Sequence, residues 1–366
     1  MERYVEPILS ALLFFPVAAG LFTLPYVIYC YRKYGSVLPM RVVCVYAFIF
    51  YLMCVYCLAI LPFPGPDTVI TQRSGVNLIP FSYVPEILTK PVTFSLGDPS
   101  TWGSAFFASG LYEPILNILM FLPLGVFLRY YFGWGKRRTV LCAFGLSLFL
   151  EVTQLTATYG LAPFPYRLAD VNDLIHNTLG GFLGYLVTPA LTFMLPTRAR
   201  LNQLSYQRGQ RVSYLRRLLA LAADLMLMAP IVLLLELALP AALVRTAVGL
   251  AYGGLLPFLW QGRTPGKALV RIRVVDDRTH SRASLRQYLL RALLLYVIYL
   301  QGGVTLAPLL GDAVSGLVSF ICLMAAFFSS AWRAIRNRPQ MYYEQWTHTL
   351  ETSSVEARMP KKEAEG

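Results

Sequence analysis

Residues 151–184 read EVTQLTATYGLAPFPYRLADVNDLIHNTLGGFLG, polar groups set between apolar runs long enough to cross a bilayer. Glu151 and Gln154 stand three residues apart near the end of one run, and Arg167 and Asp170 fall in the short connection. Asp173 and Asn177 open the next run, and Asn117 heads the run before. A charged side chain at the centre of a bilayer costs about 2.5–3.5 kcal/mol even on the mildest scale, so such groups face one another and mark function.

The composition around that stretch is that of a membrane protein. The chain has 366 residues, of which 56% are hydrophobic and 14% charged, and its mean hydropathy is +0.54. Soluble domains carry about 25% charged residues, and only helices or closed barrels satisfy their backbone in lipid. An all-α polytopic integral membrane protein is therefore expected. The net charge of +13 would suggest a nucleic-acid partner in a soluble chain. Here the basic residues gather in short loops between apolar runs, as cytoplasmic membrane loops do, so membrane lipids are the expected partners and nucleic acid is not.

The six cysteines lie in or beside apolar segments. Cys54 and Cys57 have CxxC spacing inside a run, with no second pair and no nearby His, and read as small buried hydrophobes. Neither a metal nor a cofactor is expected. The first apolar run is long and lacks a basic leader or small-residue cleavage site, so it is expected to remain as a helix.

A spanning helix needs about 20 predominantly apolar residues. Nine candidate spans follow: about 8–31, 42–62, 115–132, 138–158, 172–195, 217–239, 241–260, 286–302 and 306–331. The eighth is the most polar, with Arg286 and Arg291 entering it. Placing the N-terminus outside and the C-terminus inside puts 27 of the 32 basic residues in cytoplasmic loops and the tail. The expected organisation is a membrane domain over 1–195, a basic cytoplasmic linker over 196–212, a second membrane domain over 213–349, and a polar, disordered cytoplasmic tail over 350–366. The outer loop 63–114 is apolar enough to dip into the interface, or it is an ordinary surface loop.

On this topology Asn117, Glu151, Gln154, Arg167, Asp170, Asp173 and Asn177 share one depth near the outer leaflet. Glu151 and Gln154 share a helix face, as do Asp173 and Asn177. Gly180, Gly181 and Gly184 form small-residue stripes that let helices approach closely. Two readings stay open: a structural salt-bridge network around Arg167, or a site for a polar group. The motifs Asn117-Ile-Leu-Met-Phe-Leu-Pro-Leu-Gly125, Glu151-x-x-Gln154 and Arg167-x-x-Asp170-x-x-Asp173-x-x-x-Asn177, with Asn77-Leu-Ile-Pro-Phe81 upstream, resemble the VanZ-like family over roughly 40–195. That resemblance implies a bacterial cell-envelope protein, since some members confer resistance to the glycopeptide teicoplanin.

The second half has its own polar set. Arg217 and Asp224 are two helical turns apart on one face, an expected intramembrane pair. Gly262-Arg-Thr-Pro-Gly-Lys267 forms a tight turn, and a strand-like cytoplasmic segment follows near 268–275. Arg217, Asp224 and Thr264-Pro-Gly-Lys267 resemble the RDD family of membrane domains over 213–349. The late Asp of that family corresponds to Glu344, with Thr349 five residues on, so the carboxylate is kept on a longer side chain. Some RDD proteins are linked to cation/proton antiport. Three functions follow as expectations: an envelope protein acting at the outer leaflet on a lipid-linked or cell-wall headgroup, or on the glycopeptide itself; a cation/proton or lipid transporter; or a membrane scaffold.

Overall fold

The computed structural model describes residues 2–61, 75–89, 97–98, 101–102, 110–162, 168–300, 312–336, 338 and 340–355. It divides into two compact units, Met1–Phe22 with Pro39–Leu201, and Thr23–Leu38 with Asn202–Gly366. The first unit contains α2 (Pro39–Ile60), α3 (Tyr112–Tyr130), α4 (Lys136–Leu155) and α5 (Val171–Thr192). The long α1 (Glu2–Tyr34) contributes to each unit in turn. The second unit holds α6 (Arg198–Gly209) from Asn202 onward, α7 (Tyr214–Glu236), α8 (Ala241–Leu259), α9 (Leu285–Ala292) and α10 (Asp312–Ile335).

Seven helices among the described residues are long and apolar enough to cross a membrane, and each of the nine expected spans overlaps a described helix, although 62, 301–302 and 306–311 lie outside the described residues. The other two are α5, whose first turns carry Asn172, Asp173, His176 and Asn177, and α9, which continues as a π-helical stretch Leu293–Tyr299. The chain is a multi-pass helical membrane protein.

Helix α5 begins where its sequence calls for a cap. Asp170 Oδ1 accepts from the Asn172 backbone N–H at 2.8 Å, which satisfies one of the donors orphaned at a helix start. Glycines then bring α5 against α3. A Cβ on Gly184 would collide with the Leu122 carbonyl and Gly125, and one on Gly180 with the Ile118 backbone. Gly184→Ala is therefore expected to force the helices apart at a cost of about 1–3 kcal/mol. It should lower the melting temperature of the detergent-solubilised protein, whereas Gly145→Ala in α4, with open space around it, should leave melting unchanged or slightly raised. Around this contact Val55, Phe121, Leu124, Leu128, Ala143 and Leu150 form the apolar core of the first unit.

Two expectations need correction. The tail set at 350–366 begins in regular structure: β4 (Thr349–Ser353) pairs antiparallel with β3 (Ile272–Asp276), Val274 opposite Glu351. Burial of Ile272 and Val274, with ion pairs to Glu351, holds a segment whose polar composition suggested disorder. Residues 356–366 lie outside the described residues. The strand-like segment also starts later than 268, because Pro265–Leu269 forms one helical turn capped by Thr264.

Candidate functional site

A cavity of about 580 Å³ opens among α1–α5 of the first unit. One part of its lining is apolar, including Ile8, Val55, Leu58, Leu116, Leu119 and Leu150. The other part is Glu113, Asn117, Glu151, Gln154, Asp173 and Asn177. Five of the seven residues expected from sequence thus meet around one space. Among the described residues of this lining there is no Lys or Arg.

Each polar group is held by a specific partner. Asn117 Nδ2 donates to Asp173 Oδ1 at 2.6 Å, joining α3 to α5. Gln154 Nε2 donates to the Ala59 carbonyl at 2.9 Å, and Asn177 Nδ2 to Ser147 Oγ at 2.9 Å. Glu151 Oε2 accepts from the Asp170 backbone N–H at 2.9 Å, which ties the end of α4 to the start of α5. Asp170 itself supports the cavity from behind: its carboxylate accepts from Asn77 Nδ2 at 3.1 Å and from the Asn172 side chain at 2.8 Å.

The Asn77–Phe81 segment docks on that same helix start. Strand β1 (Val76–Asn77) pairs in parallel with β2 (Ala169–Asp170), and the Phe81 N–H donates to Asn172 Oδ1 at 2.5 Å. Tyr83 OH lies 2.9 Å from His176 Nε2. His176 is therefore a packing and hydrogen-bonding neighbour. Arg167 lies outside the described residues. Glu113 was not anticipated from sequence, although it precedes Asn117 by four residues and so shares its helix face. Asn172 was missed because a cap and its supporting amide become visible only once the helix start is placed.

On α3 the basic residue lies at the end away from the cavity. Asn117 and Arg129 are twelve residues apart on α3, about 18 Å at 1.5 Å per residue. Arg129 donates to the Tyr185 carbonyl at 2.7 Å, with its guanidinium over the Tyr185 ring.

The second unit buries a different cluster. Arg217, Asp224, Lys267 and Glu344 come together as expected, but Arg217 does not take Asp224 as its partner. It donates to Glu344 Oε2 at 2.6 Å and lies 3.5 Å from Glu351. Asp224, fully buried, accepts from Tyr252 OH at 2.8 Å, Thr264 Oγ1 at 2.6 Å and the Gly266 N–H at 2.7 Å, with Lys267 Nζ at 4.0 Å. The turn at 264–267 wraps the aspartate, which a same-face argument cannot foresee. Arg291 and Glu351 complete the cluster: Arg291 donates to Glu344 at 3.0 Å, to Thr349 at 3.0 Å and to Glu351 at 2.6 Å. Three cations thus face three carboxylates. Burial opposes the charge of Glu351, yet Arg291, Lys267 and Arg217 outweigh it and hold the carboxyl below its ordinary range. The neighbouring Arg216 is also fully buried and donates to the carbonyls of Val270, Arg271, Gly35 and Gly209.

Among the described residues no group of three His, Cys, Asp or Glu is placed to hold a metal ion, and all six cysteines are free. Two polar clusters on apolar helices define a polytopic membrane protein built from two modules. Residues 48–194 match the VanZ/LLP1 family and residues 211–340 match the RDD family, so the chain joins a VanZ-like domain to an RDD domain. No curated protein and no solved structure matches the chain.

Proposed function

We propose that this is a bacterial cell-envelope protein whose Glu151 cavity binds the headgroup of a lipid-linked or cell-wall-related amphiphile and so alters susceptibility to glycopeptides of the teicoplanin type. The observation that carries this reading is the lining itself, with carboxylates and amides at one part of the space and an apolar wall at the other. A salt-bridge network that only joined helices would be served by close packing, whereas ligand sites are concave, largely apolar and carry a few placed polar groups. The match of residues 48–194 to the VanZ/LLP1 family supports the envelope setting. The distribution of basic residues supports an N-out, C-in orientation with the cavity toward the outer leaflet.

Transport through acidic groups in both units is the less favoured reading. The buried carboxylates of the second unit are matched by Arg217, Arg291 and Lys267 and by the hydrogen bonds of Tyr252, Thr264 and Gly266, an arrangement suited to holding β4 and the 264–267 turn in place.

Cells expressing Asp173→Asn at matched membrane levels should become as teicoplanin-sensitive as cells without the protein, while wild type is more resistant. Equal resistance in the two would overturn the proposal. On a cysteine-free background, Leu161→Cys should react with a membrane-impermeant maleimide in whole cells and Arg278→Cys only after permeabilisation. The reverse pattern would overturn the orientation.

A further inference from the structure

We infer that a groove between α4 and α5 holds one acyl chain of an anionic phospholipid, with the lipid phosphate against Lys136. The groove has a volume of about 500 Å³ and shares no residue with the Glu151 cavity. It lies beside the point where Gly181 of α5 lets that helix come up to Ala143 of α4. Val140 and Phe144 line it from α4, and Ile175, Leu179 and Phe182 from α5. Thr178, also in the lining, donates its hydroxyl to the Leu174 carbonyl of its own helix at 2.6 Å, so its one donor is used within α5. From Leu174 to Phe182 the groove runs about 12 Å, at 1.5 Å per residue. That is close to the hydrocarbon depth of one leaflet, half of about 30 Å.

One end of this apolar groove is basic. Lys136 Nζ lies 5.9 Å from the centre of the Phe182 ring, so the ammonium stands over a side chain that lines the groove. Lys136, Arg137 and Arg138 open α4 and are exposed. Arg198 reaches the same turn, since a Cβ on Gly133 would collide with its guanidinium. Residues 118–150 and 174–201 include no Asp or Glu, so no carboxylate from these stretches offsets the four cations.

Charge and depth together choose the occupant. A second transmembrane helix would cover the apolar wall and leave the cations unmatched. A zwitterionic lipid would fill the wall but bring no net charge to the mouth. An anionic phospholipid meets both, with a chain beside Phe144, Leu179 and Phe182 and a phosphate at Lys136, the pairing that basic side chains make at anionic membrane surfaces. On the N-out, C-in orientation proposed above, the mouth opens at the cytoplasmic leaflet. The site is separate from the Glu151 cavity, and the inference stands whether or not that cavity binds a headgroup.

The test is native mass spectrometry of the full-length protein in detergent micelles carrying equimolar phosphatidylglycerol and phosphatidylcholine with identical chains. The first bound lipid should be phosphatidylglycerol, favoured about fivefold or more, the scale of one basic side chain at an anionic surface. Lys136→Gln, at an exposed position, should lower that preference by a similar factor. Leu179→Trp, at a position 39% exposed, fills the groove and should remove the first phosphatidylglycerol. Arg278→Gln takes an exposed cation from the second unit and should change neither result. Equal binding of the two lipids, or an unchanged preference in Lys136→Gln, would overturn the inference. So would phosphatidylglycerol retained in full by Leu179→Trp, or a loss in Arg278→Gln equal to that in Lys136→Gln. A dimer that Leu179→Trp dissociates, with no lipid preference in the wild type, would assign the groove to a second copy of the chain instead.

Discussion

Glu344→Ala is expected to cost the protein about 3–5 kcal/mol, the scale of removing one partner from a buried ion pair. Glu344 is fully buried and faces Arg217 at 2.6 Å and Arg291 at 3.0 Å, so its loss leaves two guanidiniums short of their counter-charge in a space that water does not reach. It also frees the Met341 N–H, which donates to the same carboxylate at 2.8 Å. The paired cluster itself need not be worth that much, because desolvation offsets most of the attraction; the asymmetry lies in breaking it. The expected outcome is a large fall in melting temperature and in folded yield. Glu344→Asp should lie between, since the shorter side chain keeps the charge but cannot reach both arginines at once. A wild-type melting temperature in Glu344→Ala would show that the ion cluster does not hold the second unit together.

The same cluster sets an acid limit. Glu351 is held below the ordinary carboxylate range by Arg291, Lys267 and Arg217 against the opposing effect of burial. A depressed folded pKa means that the unfolded chain takes up protons first as pH falls. This contribution is whole above about pH 4.3, the unfolded glutamate value, and is lost as pH falls from there through the folded pKa. Glu351→Gln should therefore lower stability at neutral pH and flatten the acid limb of the melting curve. An acid limb unchanged by that substitution would mean that other carboxylates set it.

Glu151→Gln is the second large effect, and it should fall on function rather than folding. Glutamine has the same shape, and its side-chain oxygen can still accept from the Asp170 N–H that Glu151 receives at 2.9 Å. The substitution removes the charge and keeps the shape of the side chain and this hydrogen bond. Melting should stay within about 1 kcal/mol of wild type, the net worth of a typical hydrogen bond. Glycopeptide susceptibility should meanwhile return to that of cells lacking the protein. Glu151→Ala is a poorer probe, because it strands the Asp170 N–H and adds about 1–3 kcal/mol of folding cost to any functional loss. Full resistance in Glu151→Gln would separate the phenotype from this cavity.

Much of the first site was legible because its residues repeat at helical spacing within apolar runs. Glu151 with Gln154, and Asp173 with Asn177, could be placed on common faces from three- and four-residue intervals alone. Asp170 illustrates the limit of that logic. It belongs to the right segment, yet it stands behind the cavity as a helix cap and receives Asn77 and Asn172. The pairing of Arg217 with Asp224 failed for a related reason. A shared face makes a contact available, but Glu344 and Glu351, more than a hundred residues distant, bring their carboxylates to Arg217, while the 264–267 turn surrounds Asp224 with donors. Glu351 was hidden by a polar local context that suggested an unstructured tail.

The sequence by itself determined the solvent this chain folds in, the helices that cross it and the polar residues that must cluster, because the cost of bare charge and bare backbone in lipid acts on each segment separately. Which partner each polar group takes, the pairing of β3 with β4 and the existence of an acceptor-lined cavity were decided only in the tertiary structure. Those features depend on atoms brought together within about 3 Å from distant parts of the chain, the range over which hydrogen bonds operate.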